Sequence, residues 1–260
     1  MTLSTKNAPE ELEQKWYTMI VDGPGLRNAF YAGIFKAFQE KKVPLPKELF
    51  TWSGGVSVAI WYLLEMNMDQ LLKWSIEECS PGILRPKKAN AMARSYFDQI
   101  YSILEPRQVA KRLAPLRIWA AKKDTLGVHV FENLSGQRGE LTHAMMRSAW
   151  IPFFTQTLSE EMVDLQFALS LHDTIPEQLY PHWKDGTHGI TLSVRRRAHS
   201  TIFLSDEDND NTDEGPWNIF RKLFGTVRAL AVDHKRSEKL FEAGYKEGMR
   251  YINSGGIFHN

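Results

Sequence analysis

A chain of 260 residues, 43% hydrophobic and 24% charged, has the makeup of a globular protein and length enough for one large α/β domain. Its net charge of +1 implies no long basic face of the kind that binds nucleic acid, so no nucleic-acid partner is expected. One cysteine, Cys79, rules out an intramolecular disulfide and suits a reducing, cytoplasmic setting; no run nears the ~18 apolar residues of a membrane span, and no secretory h-region opens the chain.

Residues 17–21 are a short, β-prone apolar run that ends at Asp22-Gly23-Pro24-Gly25, the pattern of a buried strand entering a turn. From Leu26 to Lys42, Phe30, Ile34, Ala37 and Phe38 recur at helical spacing, and Pro44 and Pro46 stop the helix. Leu49 to Trp52 read as a second strand, Ser53-Gly54-Gly55 as a turn, and 56–65 as an apolar helix. This βαβα order predicts a mostly parallel sheet flanked by helices on both faces.

Helices are expected at Met68–Cys79, Ala89–Leu104 and Pro106–Ala114, an insertion spanning 68–114. Strands follow at Leu116–Ala121 and Gly127–Phe131, then a helix at 139–149, then strands at Met162–Val163, Gly189–Val194 and Thr201–Leu204. Segment 205–214 is acidic without apolar residues and reads as a solvated loop. An amphipathic helix from about Trp217 to Ile252 closes the chain. With no linker or repeat in view, residues 1–260 are expected to form a single domain with a core over 17–204.

Two turns carry chemistry. Thr51-Trp52-Ser53-Gly54-Gly55 has a serine between a strand and a helix, with the glycine of G-x-S-x-G kept at Gly55 and replaced at Thr51. A serine on such an elbow is exposed at the carboxyl end of the sheet, facing a helix N-terminus that favours developing negative charge. The first turn, Asp22 to Arg27, lacks the Gly-Lys-Ser/Thr ending of a phosphate loop, and Asn28 stands where a dinucleotide fingerprint needs glycine or alanine. An oxyanion hole and a plain strand-to-helix turn remain open for it.

Four segments in order resemble the patatin-like phospholipases. Asp22-Gly23-Pro24-Gly25-Leu26-Arg27-Asn28 with Ala32-Gly33-Ile34-Phe35-Lys36-Ala37-Phe38 is similar to the D/G-G-G-x-R-G…G-h-h-x-A-h signature, where h is hydrophobic. Thr51–Gly55 falls at the family's G-x-S-x-G. Leu116-Arg117-Ile118-Trp119-Ala120-Ala121-Lys122-Lys123-Asp124-Thr125 resembles its l-x-i-x-A-t-d-l-x-T strand, and Arg147-Ser148-Ala149-Trp150-Ile151-Pro152 its R-A-S-A-A-I-P. The likeness spans about residues 17–195. It implies a lipid acyl hydrolase, phospholipase A-like, working through a serine–aspartate dyad with no histidine, metal or cofactor.

On that resemblance Ser53 is the nucleophile, Gly23, Gly25 and Leu26 supply the oxyanion hole, Thr51 and Gly55 shape the elbow, and Arg27 is the candidate for an anionic head group. The base follows the Ile-Pro motif: Asp164, at the family's interval, is preferred as the partner of Ser53, although Asp185-Gly186-Thr187 is closer by letter. The expected partner is a phospholipid or other acyl-ester lipid, met by peripheral contact with a membrane. Pro24 departs from the pattern by lacking an N–H, Thr51 by its bulk, and Leu165-Gln166 by replacing small residues.

Other features are weaker. The eight histidines lack zinc-protease spacing. Asp206, Asp208 and Asp210 begin like a calcium loop, but Asn211 and Trp217 replace its glycine and glutamate. Arg195-Arg196-Arg197 reads as a solvated turn. The closing helix sets Phe220, Leu223, Phe224, Val227, Leu230 and Ala231 among Arg221, Lys222, Arg228, Lys235, Arg236 and Lys239, which suits a core cap or a basic face on anionic lipid. The rivals are an α/β-hydrolase triad using His182, His188 or His199, and a lipid-binding or scaffolding protein without catalysis.

Overall fold

The computed structural model describes residues 17–23, 27–78, 86–122, 127–149, 162–163, 188–194, 200–204 and 234–256. Among these, Tyr17–Val21 (β1), Glu48–Thr51 (β2), Leu116–Lys122 (β3), Val128–Phe131 (β4), Met162–Val163 (β5), His188–Ser193 (β6) and Ile202–Phe203 (β7) form one sheet. Its order is β4-β3-β2-β1-β6-β7, with β5 also on β3. Met19, Ile20 and Val21 are consecutive and all fully buried, so both faces of β1 are covered, as a central parallel strand requires.

β1 runs parallel to β2 and to β6, with Val21 level with Thr51 on one side and Leu192 on the other. β2 with β3 and β6 with β7 are also parallel. β4 and β5 run antiparallel to β3. For β4 the reason is local: residues 123–127 are too few to cross back over the sheet, so the two strands pair as a hairpin.

The helices are α1 (Asn28–Glu40), α2 (Gly55–Leu63), α3 (Met68–Glu78), α4 (Pro86–Tyr101), α5 (Pro106–Arg112), α6 (Arg138–Ser148) and α7 (His234–Asn253). The fold is thus a mostly parallel α/β sheet with a helical insertion, α3 to α5, between β2 and β3. Pro86 and Pro106 sit in first turns, where a missing N–H costs nothing. Gln108 receives the Glu105 N–H at 2.9 Å at the start of α5.

α1 is buried along most of its length because α7 crosses it at backbone contact. A Cβ on Gly33 would strike the Phe241 carbonyl, and one on Gly244 would strike that of Phe30. Of the closing helix expected from 217, residues 217–233 lie outside the described region, including its apolar run from Phe220 to Ala231. α7 buries Leu240 and Phe241 against the core. Lys235 and Lys239 are exposed beside Glu238 and Glu242, so its outer surface is of mixed charge. No helix among the described residues is long and apolar enough to cross a membrane.

Candidate active site

β2 ends at Thr51, and the chain passes through Trp52, Ser53 and Gly54 into α2. Ser53 has φ of 54°, a left-handed conformation that is uncommon for a residue with a Cβ and must be enforced by its surroundings. Two turn bonds close the elbow, Gly55 N–H to Trp52 O at 3.0 Å and Val56 N–H to Ser53 O at 3.2 Å. A third comes from far along the chain: the Ser53 N–H donates to Ser148 Oγ at 2.9 Å, and Ser148 Oγ donates to Trp119 O at 2.6 Å.

Gly55 is where α2 meets the sheet. A Cβ there would lie 2.6 Å from Thr51 Oγ1, 2.7 Å from Asp22 O and 3.1 Å from Val21 O. The helix therefore rests on the backbone of β1 and its following turn, a distance only glycine permits. Thr51 is fully buried, and its hydroxyl has no hydrogen-bond partner among the described residues.

The first turn begins beside this elbow. Asp22 is 3% exposed; its N–H donates to Leu192 O at 3.2 Å, and its carboxylate accepts the hydroxyls of Tyr31 and Ser193, the latter at 2.5 Å. It thereby ties α1 to β6 across the end of β1. Gly23 follows and is buried. Arg27 caps α1 and is only 6% exposed, so an anion would have to reach it inside the protein. Asn28 Nδ2 donates to Ser57 Oγ at 3.4 Å, and Ser57 Oγ to Gly54 O at 3.1 Å, joining the first turns of α1 and α2. Burial raises the Tyr96 phenol's pKa, and its hydroxyl donates to Ser57 O at 2.5 Å.

Two helix N-termini thus open together at the carboxyl ends of β1 and β2. Here the strand order departs in both directions from β1, the position where open α/β sheets bind ligands. Next to the elbow's serine, the buried Trp52 ring stacks on Trp119 at 5.7 Å and 17°, and Phe50 lies 4.9 Å from Trp119.

Of the site residues expected from sequence, Ser53, Thr51, Gly55, Gly23 and Arg27 are described, and the first four gather at these strand ends. Gly25, Leu26, Pro24, Asp164 and Asp185 lie outside the described residues, as do Arg195-Arg196-Arg197, His182 and His199. Met162 and Val163 pair with Lys122 and Ala121. Ala121 also pairs with Val128, so β5 takes the β2 edge of β3, beyond the point where Thr51 pairs with Ile118. No group of three metal-binding side chains occurs among the described residues.

Sequence reasoning missed the roles of Ser148, Asp22, Tyr31 and Ser193. Ser148 and Asp22 stood inside recognised motifs, but nothing in a motif says where a hydroxyl or carboxylate points.

No known protein-family model matches the chain, and no curated protein does. Two solved structures of the ExoU–SpcU complex, from the type III secretion system of Pseudomonas aeruginosa, contain a similar chain, at TM-scores of 0.48 and 0.44 and 12% identity. In both the match covers 92% of this chain and 52% of the other, so the present chain spans about half the length of those it resembles. Neither likeness reaches the level at which an activity transfers.

Proposed function

We propose that the protein is a serine acyl hydrolase acting on fatty acyl esters of lipids, with Ser53 as nucleophile. The observation that carries this reading is the left-handed φ of 54° at Ser53, on an elbow between a parallel strand and the helix it feeds. That conformation is costly, and such strain clusters at functional sites.

In the proposed reaction a carboxylate takes the Ser53 proton as Oγ bonds to the ester carbonyl carbon. The oxyanion meets backbone N–H groups of the turn at Gly23, Gly25 and Leu26. The C–O bond to the alcohol breaks, and that alcohol leaves with the proton. Water then attacks the acyl-enzyme with the same carboxylate as base, releasing the fatty acid and restoring Ser53. Asp164 is the favoured base over Asp185, because the residue before it, Val163, is held at the carboxyl end of β3 on the β2 edge.

A lipid-binding protein without turnover is the second reading, favoured by Pro24, which removes one N–H from the turn. Labelling with a fluorophosphonate probe separates the two. Label on Ser53 that disappears in Ser53→Ala and drops sharply in Asp164→Asn, but not in Asp185→Asn, supports the dyad. A folded wild type that never labels, even with phospholipid vesicles present, removes the hydrolase reading.

A further inference from the structure

We propose that Ser148 is a positioning residue for Ser53, holding the nucleophile's backbone in its left-handed conformation; this rests on the reading of Ser53 as nucleophile. The β2 ladder ends at Thr51, so the Ser53 N–H lies beyond its last paired residue, and Ser53 precedes the first residue of α2. Its amide meets neither pattern, and Ser53 is 7% exposed. A buried amide in this position needs a partner. The Ser148 hydroxyl, itself fully buried and 95 residues away in sequence, is that partner at 2.9 Å.

The same hydroxyl donates to Trp119 O at 2.6 Å, so its direction is fixed. A serine at a helix end commonly bonds back to its own helix. Here Ser148, the last residue of α6, bridges instead to β3 and the elbow. Trp119 also stacks on Trp52, the residue before the nucleophile. The elbow is therefore gripped twice from β3, by the main chain through Ser148 and by the Trp52 ring. Without the hydroxyl, Ser53 relaxes toward an unstrained φ and its Oγ leaves the attack direction, while the surface that receives substrate is unaltered.

The test resolves fluorophosphonate labelling into its inactivation rate constant, kinact, and its binding constant, KI. Wild type, Ser148→Ala, Ser148→Thr and Ser53→Ala are compared, with the label assigned by mass spectrometry and folding by thermal melting. Ser148→Ala is expected to lower kinact roughly 10- to 100-fold with KI within about twofold, the pattern of a misplaced reacting atom. Ser148→Thr keeps the hydroxyl and is expected to restore kinact. Should Ser148→Ala not fold, Ser148→Cys keeps the shape with a weaker acceptor and is expected to show the same split. A Ser148→Ala protein, or Ser148→Cys in its place, that folds and labels at the wild-type kinact, or loses only KI, overturns the proposal. A wild type that does not label at Ser53 defeats the nucleophile reading itself, and the role of Ser148 with it, a result distinct from a labelled wild type matched by Ser148→Ala.

Discussion

Thr51 Oγ1 stands 2.6 Å from the point a Cβ on Gly55 would occupy, so the two ends of the elbow share one space. The threonine that replaces the first glycine of G-x-S-x-G fits only because the second glycine is kept. Gly55→Ala would also press on two carbonyl oxygens that cannot rotate away, Asp22 O and Val21 O. The expected cost is about 1–3 kcal/mol. Thermal melting checks it, and an unchanged melting temperature would show that α2 can move off the sheet.

Thr51→Val is expected to leave stability unchanged or raised. The Thr51 hydroxyl is buried without a partner among the described residues, and an unmatched polar group in the interior is worth removing. Valine keeps the branched shape that fits beside Gly55. A clear loss in denaturant stability would mean that the hydroxyl has a partner after all.

Asp22 and Ser193 are 171 residues apart and bonded at 2.5 Å in the interior. Ser193→Ala takes a donor from a buried carboxylate and is expected to destabilise by about 1–3 kcal/mol. Adding Asp22→Asn should then cost less than it does in the wild type, because the two changes act on one bond. Strict additivity in a double-mutant cycle would argue that the carboxylate is satisfied without Ser193.

The tyrosines set an alkaline limit. Burial pushes the Tyr101 phenol up to about 12 and raises those of Tyr17, Tyr62 and Tyr96 as well. For Tyr101, whose hydroxyl donates to Gly136 O, the folded pKa lies above the unfolded value of about 10. The stability this contributes is complete below pH ~10 and is lost as pH rises through ~12, because the unfolded chain releases its protons first. Denaturant titrations from pH 9 to 12 should fall along this course, and Tyr101→Phe should make the fall shallower. A flat profile would mean that the phenols are not shielded from solvent.

The fold was readable because its signals are local. Phe30, Ile34, Ala37 and Phe38 recur at helical spacing and are buried on α1 as expected, and the runs at 17–21 and 116–121 become β1 and β3. The elbow was readable for the same reason, since a strand, a serine and a glycine at fixed offsets describe a turn. The Ser53–Ser148 and Asp22–Ser193 bonds were not, because they depend on how distant elements register in space. β5 is two residues long, and its antiparallel pairing is set by β3 rather than by any pattern of its own.

The contact of α1 with α7 has a consequence for synthesis. Phe30 and Gly33 leave the ribosome about two hundred residues before Gly244 and Phe241, which pack on them in turn. At roughly 5–20 residues per second, α1 waits on the order of 10–40 s for its cover. Through that interval the helix leading away from the Asp22–Arg27 turn lacks one wall, and a nascent chain stopped before His234 is one that chaperones would be expected to hold.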